Sequence, residues 1–213
     1  MIAVLDYGIG NLASAQKALA HLGAPSELVS DPALASGADA VVLPGVGAFG
    51  PAMKALRRRG LDQVALDVVE RGGAFLGICV GMQMLYAGSE ENPDVPGLGM
   101  LPGKVTALPP GPKAPQMQWN ILTPTGRPSR AMVGLDPDPW AYFVHSYAAP
   151  IDSSTTATCE YGGPVCALVE RGNLWATQFH PEKSGPVGMQ ILHNFVKLAA
   201  SIRVTGTPTS SSR

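Results

Sequence analysis

Residues 74–83 read Ala74-Phe75-Leu76-Gly77-Ile78-Cys79-Val80-Gly81-Met82-Gln83. A short apolar run leads into a glycine-flanked cysteine and then into helix-prone residues over 81–87, which predicts a buried strand turning sharply into a helix. Such a turn is a nucleophile elbow of the G-x-S-x-G type with cysteine in place of serine. The nucleophile sits on a strained strand-to-helix turn, and glycines on either side keep Cβ atoms from colliding there. The start of the helix offers unpaired N–H groups and a partial positive charge, which favour a thiolate. The N–H of Val80 is suited to meet the oxyanion formed on an attacked carbonyl. Taken alone, the pentapeptide also fits a buried cysteine between packing glycines.

Upstream of this stretch, strand and helix alternate. Residues 2–6 form an apolar run. Asn11 can cap a helix with Leu12, Ala15, Leu19 and Leu22 on its apolar side, and Gly23 stops it. Residues 26–30 are strand-like, 39–43 form a buried strand ending at Pro44, and helical patterns follow over 48–59 and 61–71. Short continuous apolar strands between helices indicate a parallel sheet covered on both faces. After Gly99 the pattern changes to strand-like pieces at 104–108, 142–147, 155–161, 165–170 and 174–179, with Arg171-Gly172-Asn173 as a hairpin turn. An amphipathic helix over 188–202 closes the pattern. The expected class is α/β, with a mostly parallel central sheet, helices on both faces and an added antiparallel section in the second half. One domain is expected over 1–203, followed by a flexible tail at 204–213.

Composition narrows the function. The 213 residues carry 15 basic and 16 acidic side chains, a net charge of -1, and only Arg57-Arg58-Arg59 forms a basic run. A nucleic-acid partner is therefore not expected, and that run reads as a solvated helix end. No apolar stretch reaches the ~18 residues of a membrane span, and the start, MIAVLDYG, lacks a signal peptide's basic region. Three cysteines, at 79, 159 and 166, are an odd number without zinc-type spacing. No disulfide scaffold or metal is expected, and a reducing cytoplasm is. Cys159 and Cys166 read as small buried hydrophobes.

A cysteine nucleophile needs a base and a group to orient it. Of four histidines, His21 and His193 fall on helices, and His145 lies inside a strand as a buried residue or a pocket wall. His180 differs because it ends a strand and is followed by Pro181 and Glu182. In extended chain, residues two apart share a side, so Glu182 can reach the His180 ring, fix its tautomer and stabilise the imidazolium. The elbow and the strand-end His-Pro-Glu together are far more specific than either alone.

With these residues the chain resembles the class I glutamine amidotransferases, Cys79, His180 and Glu182 matching their triad. It is most similar to the glutaminase subunits of imidazole glycerol phosphate synthase, from histidine biosynthesis. The resemblance rests on Asp6-Tyr7-Gly8-Ile9-Gly10-Asn11-Leu12, Leu43-Pro44-Gly45-Val46-Gly47-Ala48-Phe49 and Gly77-Ile78-Cys79-Val80-Gly81-Met82-Gln83. Tyr142-Phe143-Val144-His145-Ser146-Tyr147 and Gln178-Phe179-His180-Pro181-Glu182-Lys183-Ser184 complete it. One block departs: the family's Pro-His-Met-Gly-Trp-Asn is Pro115-Gln116-Met117-Gln118-Trp119-Asn120 here.

The resemblance implies hydrolysis of glutamine to glutamate and ammonia, with no cofactor and no metal. It implies an oxyanion hole from the N–H of Val80 and one N–H of Gly45-Val46-Gly47, a segment whose flip depends in the family on the partner. It assigns glutamine binding to Gln83, Glu91, Ser146 and Tyr147, the last two chiefly through backbone atoms. It also implies a heterodimer with a (β/α)8-barrel cyclase subunit, contacted by Asn11, Trp119 and Lys183. Trp119 alternatively fits an ordinary core tryptophan.

Competing readings start from other residues. Gly8-Ile9-Gly10-Asn11-Leu12-Ala13 after the first strand, with Asp31 after the second, fits a dinucleotide-binding fingerprint. The elbow and His-Pro-Glu weigh against a dehydrogenase. A different amidotransferase or cysteine hydrolase, and a catalytically dead binding subunit, are the remaining alternatives.

Overall fold

The computed structural model describes residues 1–35 and 37–205. Five parallel strands form the centre: β1 (Ile2–Leu5), β2 (Ser26–Val29), β3 (Ala40–Gly45), β4 (Ala74–Cys79) and β13 (Leu174–Thr177). Three antiparallel strands extend the sheet: β12 (Pro164–Arg171), β11 (Thr155–Glu160) and the short β8 (Thr123–Pro124), giving the order β2-β1-β3-β4-β13-β12-β11-β8. Every residue of β1, β3, β4 and β13 is buried, so both faces of the central sheet are covered.

Chain direction explains the covering. From β1 the chain runs through α1 (Leu12–His21) to β2 on one side, and from β3 through α3 (Phe49–Arg58) and α4 (Leu61–Glu70) to β4 on the other. Right-handed crossovers in opposite directions put their helices on opposite faces. Accordingly α1 packs on the closing helix α6 (Gly185–Thr205), whereas α3 packs on α4, which also meets the one-turn α2 (Pro32–Ala35). This is the expected mostly parallel α/β class with its antiparallel section. Of the expected tail at 204–213, residues 206–213 lie outside the described residues. No helix among the described residues is long and apolar enough to cross a membrane.

Several local expectations are corrected. β3 does not stop at Pro44 but continues to Gly45, pairing Pro44 with Ile78 and Gly45 with Cys79 on β4. Its pairing with β1 ends at Val42, so Pro44 sits where the sheet has no second neighbour. Residues 142–147 are not one strand. β9 (Trp140–His145) pairs with β7 (Gln116–Ile121), while β10 (Tyr147–Ala148) joins a small sheet with β5 (Gly88–Ser89) and β6 (Lys104–Ala107). Asn11 does precede α1, but its side chain accepts the Ser14 hydroxyl at 2.9 Å instead of capping a backbone N–H. Asp31, the acidic residue of the dinucleotide pattern, accepts the N–H of Ala33 at 2.9 Å in the first turn of α2.

Candidate active site

The carboxyl ends of β1, β3, β4 and β13 meet along one edge of the sheet, the edge where ligands bind in open α/β folds. Cys79 ends β4 and precedes the short helix α5 (Val80–Gln83). Its φ of 56° makes it the single non-glycine residue with positive φ among the described residues. Such a conformation costs about 1–3 kcal/mol and persists only where the surroundings enforce it. Enforcement comes from close packing: a Cβ on Gly81 would lie 1.8 Å from the Leu43 carbonyl oxygen, and one on Gly77 would lie 2.9 Å from the Gly81 oxygen. The helix is shorter than the expected 81–87. After Met84 the i→i−4 pattern is lost: Leu85 and Tyr86 N–H bond three residues back to Met82 and Gln83 O, and Ala87 N–H turns away to Gly103 O.

His180 follows β13, the neighbour of β4, and its N–H donates to Tyr142 O on β9 at 3.1 Å. Its Nδ1 lies 2.9 Å from Glu182 Oε1, with both side chains at most 4% exposed. The pair forms through a different geometry from the expected extended chain. Pro181–Lys183 is a 3-10 turn, closed by Lys183 N–H and the Ser184 hydroxyl donating to His180 O. Burial alone would lower the His180 pKa, but hydrogen bonds and charge interaction with Cys79 and Glu182 outweigh it and raise it to about 9. The ring therefore keeps its second proton up to about pH 9. A reaction that draws on this proton should lose rate in kcat/KM near that pH, and Glu182→Gln should move that alkaline limb downward because the carboxylate's upward pull is lost. A pH–rate profile checks this; an unmoved limb in the variant would refute it.

The segment Gly45-Val46-Gly47 lies against the elbow. A Cβ on Gly45 would be 2.6 Å from Gly81 N and 3.0 Å from the Tyr7 hydroxyl, which donates to Pro44 O at 2.8 Å. Gly47 has φ of 79°, open to glycine and strained for other residues. Val80 is buried directly after the cysteine. Gln83, buried, donates from Nε2 to Tyr147 O at 2.9 Å and to Gln178 Oε1 at 3.1 Å. Ser146 also engages through its carbonyl, which accepts the N–H of Leu108. Glu91 sits at the start of α3, its Oε2 accepting the Phe49 N–H at 2.8 Å.

Two neighbours of the cysteine were not anticipated. Gln178 Nε2 donates to Cys79 Sγ at 3.7 Å, and Tyr7 props Pro44, next to the Gly45-Val46-Gly47 segment. In the sequence Gln178 stands two residues before His180, inside the block that carries the family resemblance but with no role assigned. His145 is buried, with Nδ1 donating to Tyr147 O at 2.8 Å, and burial lowers its pKa to about 4, so it is neutral. Cys159 and Cys166 are buried as expected, and burial pushes their thiols up to about 11 and about 12.

Asn11, Trp119 and Lys183 lie outside the triad. Trp119 is 47% exposed, which corrects the core alternative, and its ring rests 5.9 Å from that of Tyr142, centroid to centroid. The backbone of Tyr142 is bonded to His180 and Ser184, and α1, which Asn11 precedes, packs against the 3-10 turn carrying exposed Lys183. Trp119 thus reaches the His180 backbone through Tyr142, and Lys183 lies on the 3-10 turn beside the helix that Asn11 precedes.

Residues 3–199 match the family of class-I glutamine amidotransferases. The subunit HisH of imidazole glycerol phosphate synthase from Synechococcus sp. (strain JA-3-3Ab) is 49% identical over 93% of this chain and 94% of its own. The HisH subunits of Thermosynechococcus vestitus and Methanothermobacter thermautotrophicus are 50% and 47% identical, over 92% and 93% of this chain and 96% and 98% of theirs. Among solved structures, a glutamine amidotransferase shares the fold with a TM-score of 0.73 at 23% identity, covering 93% of this chain and 98% of its own. A cysteine elbow at a parallel-sheet edge, a buried histidine–carboxylate pair beside it and full-length likeness lead to one assignment: this chain belongs to the class-I glutamine amidotransferases and, within them, to the HisH subunits of imidazole glycerol phosphate synthase.

Proposed function

We propose that the chain hydrolyses glutamine through Cys79, His180 and Glu182. The observation that carries this reading is the buried His180–Glu182 pair at 2.9 Å, raised to about pKa 9 partly by hydrogen bonding to Cys79. The Cys79 thiolate attacks the side-chain amide carbon, and the oxyanion receives the N–H of Val80 and one N–H from Gly45-Val46-Gly47. Such a donor typically supplies about 3–4 kcal/mol of barrier reduction. His180 gives its proton to the departing nitrogen, ammonia leaves, and a glutamyl thioester remains on sulfur. His180 then accepts a proton from water, whose oxygen displaces the thiolate to give glutamate. Glu182 holds the ring tautomer throughout. Gln83 and Gln178 brace the floor, with Glu91 for the substrate's ammonium and the Ser146-Tyr147 backbone for its carboxylate end.

Ammonia then passes to a (β/α)8-barrel cyclase subunit in a heterodimer. The cyclase joins it to a phosphorylated ribulose intermediate to give imidazole glycerol phosphate and aminoimidazole carboxamide ribotide. Asn11, Trp119 and Lys183 form the docking surface in this reading, supported by the exposure of Trp119 and Lys183 and by the packing of α1, which Asn11 precedes, on the 3-10 turn. The test is ammonia release from glutamine by the chain alone and mixed with the cyclase subunit and its ligand. Release in the mixture is expected; none would overturn the proposal. Trp119→Ala should raise the Kd for the cyclase by about tenfold or more, as for aromatic interface anchors, measurable by titration calorimetry.

A further inference from the structure

Helix α3, which directly follows the Gly45-Val46-Gly47 segment, has no cap of its own: its N-cap position is Ala48. The first N–H groups of a helix need partners from elsewhere. Here Phe49 N–H donates to Glu91 Oε2 at 2.8 Å and Gly50 N–H to Asn92 Oδ1 at 2.7 Å. Position 51 is proline, and Ala52 N–H reaches Ala48 O at 3.2 Å. Both side-chain caps come from positions 42 residues downstream. The loop that supplies them is itself tied down. Glu91 N–H donates to Ser89 Oγ, Asn92 N–H to Ser89 O, and Asn92 O accepts the N–H of Val95. The Asn92 amide also fills the space over Gly50, where a Cβ would come within 2.7 Å of its Cγ.

Val46, Gly47 and Ala48 therefore span between two fixed points. One is the β3–β4 pairing that ends at Gly45 and Cys79, and the other is the Glu91–Asn92 clamp on α3. The two clamp residues are not equivalent. Glu91 is also the carboxylate proposed to receive the substrate's ammonium, so its bond to Phe49 is shared with glutamine. Asn92 holds Gly50 with a neutral acceptor that a cation does not draw away. Resting on the oxyanion and substrate roles proposed above, we infer that Asn92 is a positioning residue. It holds the start of α3, and with it the Val46–Gly47 backbone, in register with the elbow while Glu91 engages glutamine. It touches neither sulfur nor the reacting amide.

The test uses the full chain with its cyclase subunit in steady-state glutaminase assays. Asn92→Ala should lower kcat about tenfold, with KM for glutamine within about twofold, because a misplaced oxyanion donor weakens the transition state and not the ground state. Iodoacetamide should alkylate Cys79 in the variant at the unaltered rate, and Asn92→Asp, which keeps the acceptor, should restore most of kcat. Gly50→Ala offers a second route, since its methyl would push the Asn92 amide aside. Its loss of kcat should match that of Asn92→Ala and not add to it in the double variant. An unchanged kcat in Asn92→Ala, a parallel fall in Cys79 alkylation, or multiplicative effects in the double variant would each overturn the clamp. Cys79→Ala run alongside separates the failures: if that variant still releases ammonia, the glutaminase proposal itself is wrong.

Discussion

Replacing Cys79 with alanine should reduce ammonia release from glutamine by at least about 10⁴-fold, the scale seen when a nucleophile is removed from a unit that works together. The rest of the site would survive. Alanine leaves β4 and the oxyanion segment in place, although the 56° φ at this position then strains a methyl-bearing residue with no chemical return. Glutamine should still bind, because the groups proposed to hold it, Gln83, Glu91 and the Ser146-Tyr147 backbone, do not depend on the sulfur. Coupled assays for ammonia and isothermal titration with glutamine measure the two quantities separately. Retained turnover would show that another group attacks the amide.

Among the described glycines, Gly81→Ala should be the most damaging added methyl. The added carbon would fall 1.8 Å from the Leu43 carbonyl oxygen, and that oxygen belongs to backbone in the buried strand β3. Neither partner can rotate away, so β3 and the elbow must part. Overpacking commonly costs about 1–3 kcal/mol, and a clash of backbone against backbone belongs at or above the top of that range. Displacement of β3 also moves Gly45 and the segment proposed to supply the oxyanion donor, so activity should fall beyond what unfolding explains. Denaturant titration gives the stability loss, and kcat of the remaining folded fraction gives the rest. A variant with native stability would mean that the approach of Gly81 to Leu43 is looser than described.

What the sequence disclosed follows the range of the interactions involved. The elbow and the His180–Glu182 pair are local: each is complete within five residues, so residue type and spacing suffice to find them. Even there the carboxylate was placed by an extended chain, whereas Pro181 starts a 3-10 turn that curls it back. β7 escaped notice because Met117, Gln118 and Trp119 are all exposed, which erases the alternation that marks a half-buried strand. The caps on α3 were invisible for a different reason. Ala48 gives no cap signal, and the acceptors arrive from a loop that only the tertiary fold brings near. The Gln178 contact with sulfur likewise needs β13 to lie beside β4, a pairing no short window of sequence contains.

That pairing has a consequence for the order of assembly. β13 lies beside β4 in parallel register, yet Gln178 and Cys79 are 99 residues apart in the chain. Closing a loop of that length costs on the order of 4 kcal/mol of chain entropy, and the cost is met only once β13 is seated. A chain emerging from the ribosome can form β1 to β4 and the elbow from local crossovers before His180 has a place beside Cys79. On the mechanism proposed above, Cys79 then lacks its partner until the strand that leads to His180 docks, so hydrolysis of glutamine becomes possible only when folding is nearly finished.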